Sequence, residues 1–216
     1  RAVKLTQETI KLAALIGARA VILHGGRIRA LPLHRRLMRL VREKKFLTKE
    51  YAREKLRAVL QREKAGPLYL ERLVSALTPL LALAAENGVH LGLENRERYE
   101  DVPSEREILP LLARFNSPYL GYWHDFGHAQ IKHNLALLDH ADWLRLAGNR
   151  IFGGHLHDVT FPNLDHLPPF TGELDYAQLI PLLPAGCPLI LEMHPDTPAG
   201  QIQQAAAEWR RRFGTS

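Results

Sequence analysis

Strand-like and helix-like segments alternate along this 216-residue chain, and the alternation predicts an α/β fold of the TIM (β/α)8 type. Three observations carry that prediction. Five short apolar runs read as strands buried on both faces, as in a parallel sheet. Each run ends in a residue that binds metal well: Ala-Val-Ile-Leu-His at His24, Leu-Gly-Leu-Glu at Glu94, Leu-Gly-Tyr-Trp-His-Asp at Asp125, Ile-Phe-Gly-Gly-His at His155 and Leu-Ile-Leu-Glu at Glu192. The first strand is followed only by Gly25-Gly26, too little for the glycine-rich turn of a doubly wound nucleotide-binding sheet. A barrel gathers its strand ends at one mouth, where such enzymes keep their active sites.

The chain opens with a helix in which Ile10, Ala13, Ala14 and Gly17 repeat at helical spacing, with Thr6 as its expected cap and Gly17 as its end. Strand 20–24 follows. Residues 27–65 read as polar and helical, with strong helix formers concentrated over 49–64. A second helix is expected from about Leu70 to the turn at Asn87-Gly88, with a bend at Pro79. After strand 89–94, Ser104 and Glu107 have capping-box spacing at the head of helix 104–115. Asn116-Ser117-Pro118 turns the chain into strand 119–125. A helical stretch near 134–146 leads to strand 150–156. The Pro-rich segment 159–173 is too long for a mere connector and is expected to serve function. Helix 174–183, strand 188–193 and helix 199–213 complete the chain.

Length allows one sizeable core, so a single barrel domain over 1–216 is expected, carrying a basic helical insert at about 27–66. An eight-stranded barrel takes about 250 residues. With five strands in hand, the expectation is the C-terminal part of such a barrel, about three N-terminal strand units lying outside this chain. Hydrophobic content of 46% and charged content of 24% are ordinary for a globular protein. No apolar stretch reaches the roughly 18 residues that would span a bilayer, so no membrane partner is expected. Cys187 is the sole cysteine, which excludes an internal disulfide and fits a reducing, cytoplasmic compartment.

The net charge of +6 is unevenly spread: residues 27–66 hold fourteen Lys or Arg against four Glu. Such a segment attracts phosphates or nucleic acid, but it lacks the interleaved aromatics that stack on bases, so a solvated helical insert is the plainer reading. Unpaired strand edges would favour a homo-oligomer.

Glu94, Asp125, His155 and Glu192 end four separate strands. Four polar or charged groups turned toward one axis are costly to bury unless a cation pairs them. Carboxylates and imidazoles together suit Zn, Mn or Fe, and Mg where oxygen dominates. His128 lies just beyond a strand end. His155 and His157 alternate onto one strand face, His194 shares a face with Glu192, and His166 in the long loop is placed to reach over the mouth. His34, His90, His124, His133 and His140 read as structural or surface histidines. Arg96 sits two residues after Glu94, where it faces either a bound anion or a surface salt bridge.

The stretches HGG at 24–26, LENR at 93–96, HDFGHA at 124–129, HLHD at 155–158, DHLPPFTGELD at 165–175 and LILE at 189–192 together resemble the xylose isomerase-like TIM barrel superfamily. That group holds sugar and sugar phosphate isomerases and epimerases and the AP endonuclease family 2, including the type-four apurinic endonucleases. The resemblance covers the chain apart from the insert. It implies that Glu94, Asp125, His155 and Glu192 hold one divalent metal, and that Glu94 and Glu192 also work as the acid–base pair on opposite faces of a sugar. It implies that His24, His128 and His166 match further ligands of the endonuclease branch, which holds three zinc ions.

Two departures stand out. Leu164 occupies the place of an Asp expected two residues before the loop His, with Asp165 adjacent instead. The substrate-binding Arg of some epimerases has no match in Val-Thr-Phe-Pro-Asn-Leu at 159–164. The resulting expectation is a divalent-metal-dependent isomerase or epimerase of a sugar, sugar phosphate or polyol. The alternatives are a zinc phosphodiesterase acting on abasic DNA, with nucleic acid as partner, and a non-catalytic degenerate barrel.

Overall fold

The computed structural model describes residues 1–29 and 32–214, so residues 30 and 31 of the expected insert and residues 215 and 216 lie outside the description. The chain falls into two compact units, residues 1–123 and 124–216.

In the first unit, α1 (Ala2–Leu15) buries Ile10 and Ala13. It begins four residues before the expected Thr6 cap. Thr6 is inside the helix, where its hydroxyl donates to the Ala2 carbonyl at 3.1 Å. Gly17 ends the helix with φ +72°, a conformation open to a residue without Cβ. β1 (Ala20–Leu23) leads into β2 (Gly26–Arg27), then α2 (Leu33–Arg42) and α3 (Lys49–Glu86). β3 (His90–Glu94), β4 (Asp101–Val102), α4 (Glu105–Phe115) and β5 (Leu120–Asp125) follow. β1 pairs parallel with β3, and β3 pairs parallel with β5 through Trp123, while β2 and β4 form a short antiparallel pair. The last two residues of β5 open the second unit.

α3 corrects two readings of the sequence. It is one helix of 38 residues rather than a polar helix followed by a separate one from Leu70, and it continues through Pro67 and Pro79. Its length and composition also suffice to cross a membrane. The Leu- and Ala-rich half after Leu68 carries few charges, which a search for an unbroken apolar run passes over. One stripe of that half nevertheless faces the protein: Leu73, Val74 and Leu77 pack with Ile28, Leu93, Val102 and Leu111 into the core of the unit.

The insert is more than a solvated appendage. α2 buries Leu33, Leu37, Leu40 and Val41 on one stripe. From α3, Arg62 is buried and forks onto Glu107, with Nη1–Oε1 at 2.6 Å and Nη2–Oε2 at 2.7 Å, and donates to the Tyr99 and Asp101 carbonyls. Glu107 Oε2 also accepts from the Ser104 amide at 2.8 Å, as the capping-box spacing predicts.

In the second unit, α5 (Phe126–Asn134) starts directly from the end of β5. α6 (His140–Ala147), β6 (Ile151–Leu156), β7 (Asp158–Thr160), β8 (Leu164–Leu167), α7 (Tyr176–Leu179), β9 (Leu189–Leu191) and α8 (Ala199–Phe213) follow. β6 and β9 pair parallel, and Gly154 of β6 lies so near the His124 carbonyl that a Cβ has no room. α5 is absent from the sequence reading, which placed a helix near 134–146; its cap comes from the strand-end Asp125, a residue read there only as a ligand. The segment 159–173 is no open loop, because β7 and β8 pair as an antiparallel hairpin. The expected helix 174–183 is a single α turn followed by a 3-10 turn at Ile180–Leu182. Phe170, Tyr176, Trp209 and Phe213 stack together and dock α8.

Candidate functional site

Each unit gathers ligand-type side chains at the C-terminal ends of its parallel strands. In the first, β1 delivers His24 and β3 delivers Glu94. His24 Nε2 lies 2.7 Å from Glu94 Oε2 and 2.9 Å from Arg96 Nη1, with Arg96 Nη1 at 4.0 Å from the same Glu94 oxygen. Glu94 is 1% exposed and His24 is 58% exposed, so the carboxylate is buried below an imidazole that faces outward. A single Nε2 cannot both accept from a guanidinium and donate to a carboxylate. Arg96 also reaches Glu97 at 3.4 Å, so both of its readings, anion contact and salt bridge, keep a geometric basis. Gly25 follows His24 because the Val102 carbonyl leaves no space for a Cβ there.

In the second unit, Asp125 is completely buried and caps α5, its Oδ1 accepting from the His128 amide at 2.7 Å. His155 Nδ1 lies 2.9 Å from Glu192 Oε2 and 3.8 Å from Asp125 Oδ2. Asp125, His155 and Glu192 thus offer ligand atoms within 4.8 Å of one another, and His128, His157 and His166 form a second such group. His157 Nε2 lies 3.0 Å from Asp125 Oδ1, and His128 Nδ1 lies 3.4 Å from the same oxygen. The His166 ring stacks on that of His157, centroids 4.2 Å apart and planes 10° from parallel.

Charge follows this geometry. Burial lowers the His157 pKa, but the charge and hydrogen bond of Asp125 outweigh it and the net shift is upward. Against that pull, the His166 amide donating to Nδ1 at 2.9 Å leaves this nitrogen no room for a second ring proton. The hydrogen bond to Asp165 raises His166. Burial works to raise Asp165, but His166 and the neighbouring imidazoles leave it lowered.

Residues outside these groups also take defined places. His194 exposes its ring beside Asp196, while its amide donates to the His166 carbonyl at 2.9 Å, so its tie to the site runs through the backbone. His124 points into the core as expected: its Nε2 lies 2.9 Å from His140 Nε2, and His140 Nδ1 lies 3.1 Å from Gln130 Oε1. Burial holds both imidazoles neutral, pushing His124 down to about 3 and His140 well below its ordinary value. The sequence reading gave no role to Asp158, which ties both ends of the hairpin loop. Its Oδ1 accepts from the Val159 amide at 2.8 Å and the Leu174 amide at 3.1 Å, and Gly172 leaves room for it. Its place at the end of the HLHD motif is the signal that could have found it.

The donor set of the second unit, buried carboxylate oxygen and imidazole nitrogen without thiolate, fits a borderline divalent cation. Burying Asp125 beside Glu192 with only neutral imidazoles would leave negative charge poorly solvated, and a cation offsets that cost.

The model of the xylose isomerase-like TIM barrel family matches residues 1–213, and the chain belongs to that family. Its strand–helix alternation is therefore that of the TIM-type barrel the sequence predicts. Among solved structures it is similar to a D-tagatose 3-epimerase-like protein (18% identity, TM-score 0.66, 97% of this chain and 67% of that one). It is also similar to 3-keto-D-glucoside 4-epimerase from E. coli (15% identity, TM-score 0.64, 97% and 70%). An L-ribulose 3-epimerase is a third (19% identity, TM-score 0.58, 100% and 62%). The chain thus spans about two thirds of the length of these structures. No curated protein matches it in sequence.

Proposed function

We propose that this protein is a divalent-metal-dependent isomerase or epimerase acting on a sugar, sugar phosphate or polyol. The observation that carries the reading is the convergence of Asp125, His155 and Glu192 at strand ends of a chain whose fold is shared with sugar epimerases. In this reading Glu94 is the fourth ligand, and Mn, Zn, Mg or Fe is the ion. A bound cation supplies Lewis-acid polarisation of adjacent carbonyl and hydroxyl oxygens, which acidifies the carbon-bound proton between them. Glu94 and Glu192 would stand on opposite faces of the reacting carbon, one to take its proton and the other to deliver one. His128 orients substrate oxygens, a role the sequence offers also to His157, whose ring is completely buried. Arg96 meets an anionic substituent where one is present, and His24 and His166 are further metal or substrate contacts.

The same reading takes the whole chain as part of one barrel domain in a cytoplasmic setting, in keeping with a half-buried lone thiol whose pKa burial pushes up to about 11. Self-association belongs to it as an expectation from strand edges.

The test is solvent deuterium exchange into a panel of ketoses, beginning with D-tagatose, L-ribulose and D-allulose. Glu192→Gln should lower exchange by about 10²–10⁴-fold, the usual worth of a positioned acid or base. Exchange at the wild-type rate would remove Glu192 from its role.

The second reading, a zinc phosphodiesterase on abasic DNA, is favoured by the grouping of His128, His157 and His166. Against it, Leu164 stands where that branch places an Asp, and the basic insert spends Arg62 on an internal ion pair. About three zinc ions per chain, with cleavage of abasic duplex, would establish it over the isomerase; one ion per chain supports the isomerase.

A further inference from the structure

We propose that His157 is a positioning residue for the Asp125 carboxylate, its Nε2–H fixing the orientation of Asp125, and that it does not coordinate the cation. The inference rests on the reading of Asp125 as a metal ligand and adds a role that reading does not assign.

The argument begins with a backbone amide. The His166 N–H donates to His157 Nδ1 at 2.9 Å. An amide nitrogen can only donate, so Nδ1 presents its lone pair, and the proton of the neutral ring sits on Nε2. That nitrogen lies 3.0 Å from Asp125 Oδ1 and 3.2 Å from Oδ2, so it donates to the carboxylate. Both ring nitrogens of a completely buried histidine are thereby used. Coordinating a cation would require His157 to surrender one of these bonds inside the protein, at the cost of an unsatisfied buried group.

The ring is also held in place. A Cβ on Gly127 would run into His157 Cε1, Nδ1 and Nε2, so the glycine of Asp125-Phe-Gly-His exists to admit this ring against the start of α5. The His166 ring stacks on it. His166 adopts φ +55°, a left-handed conformation uncommon for a side-chain-bearing residue, and its carbonyl accepts from the His194 amide. The turn that delivers the His166 amide to Nδ1 is therefore itself pinned. With Oδ1 also taking the His128 amide, Asp125 is gripped by two donors, one from α5 and one from the link between β6 and β7, the arrangement by which outer partners orient a ligand.

Two variants separate positioning from coordination. Gln at 157 keeps a donor at the reach of Nε2, whereas Asn keeps only an acceptor near Nδ1. Zinc affinity is measured by chelator competition, and histidine tautomers by ¹⁵N correlation spectra of the imidazoles, before and after Zn²⁺. His157→Asn should weaken zinc by about 10–100-fold, the usual cost of losing an outer-shell partner, and His157→Gln should recover most of the loss. In the wild type His157 should show the Nε2–H tautomer and keep that proton when Zn²⁺ binds. Equal loss in both variants, or disappearance of the Nε2 proton on adding Zn²⁺, overturns the positioning role while leaving Asp125 a ligand. Should the variants fail to fold, the wild-type spectra decide alone. A wild type that takes up no Zn²⁺, Mn²⁺ or Mg²⁺ sinks the ligand reading itself, and the positioning role with it.

Discussion

At the scale of single residues, the ligand-type side chains were legible because they end apolar runs, and strand ends of a barrel point to one rim. What holds them was not legible. Nothing in the spacing of Asp125-Phe126-Gly127-His128 says that the glycine admits a histidine thirty residues on. The structure makes that dependence testable: Gly127→Ala forces a Cβ into the His157 ring. The expected cost is about 1–3 kcal/mol, as for other overpacked sites, seen as a lower denaturation midpoint and a weaker hold on metal. Unchanged stability and affinity would show that the ring moves freely.

Glu100 offers a second test at this scale. Burial raises its pKa above the ordinary value of 4.5, although the His34 amide donates to it at 2.9 Å. A carboxyl with a raised folded pKa contributes stability that is complete below about 4.5 and is lost as the pH climbs through the folded value. Glu100→Gln keeps an acceptor for His34 and removes the ionisation. The variant should therefore melt higher than the wild type at pH 7 and level with it near pH 4, as read by calorimetry at both values.

At the scale of elements, pattern succeeded where local signals are strong and failed where tertiary contacts override them. The capping box at Ser104 and Glu107, the turn at Asn87-Gly88 and the terminal helix 199–213 all follow from propensity and caps. The continuity of α3 does not, because Gly66-Pro67 reads as a break: Pro67 has no N–H for the Glu63 carbonyl, and Gly66 weakens the turn. The helix persists because Arg62, one turn earlier, is clamped between α4 and the Tyr99 and Asp101 carbonyls, with Gly66 leaving the space its guanidinium needs. Arg62→Met should strand the Glu107 charge and cost about 3 kcal/mol in urea unfolding. Adding Glu107→Gln removes that charge while keeping an acceptor for Ser104, so the double variant should regain part of the loss. If the single variant unfolds like the wild type, the pair does not hold α3 together.

At the scale of the molecule, alternation and strand-end chemistry were enough to name the class of fold, because a parallel sheet with crossover helices has few solutions. The division into units at residue 123, within β5, was not legible, since no composition shift or linker marks it. Both units place carboxylates and imidazoles at strand ends, and the most direct global consequence of the proposed metal site is linkage between metal and stability. A cation that binds only the folded chain adds about 2.7 kcal/mol at one hundred times its dissociation constant. For a chain of this length each kilocalorie raises the melting temperature by about 2–4 °C, so saturating Zn²⁺ or Mn²⁺ should lift the midpoint by several degrees, and a chelator should return it. Asp125→Asn keeps the cap on α5, because the amide oxygen still accepts from the His128 amide, but removes the charge from the proposed ligand. It should fold and show little or no metal-dependent shift. A wild-type midpoint indifferent to every divalent ion, measured on chelator-stripped protein, would mean that the buried carboxylate is stabilised without a cation, and the case for metal chemistry at these strand ends would fail with it.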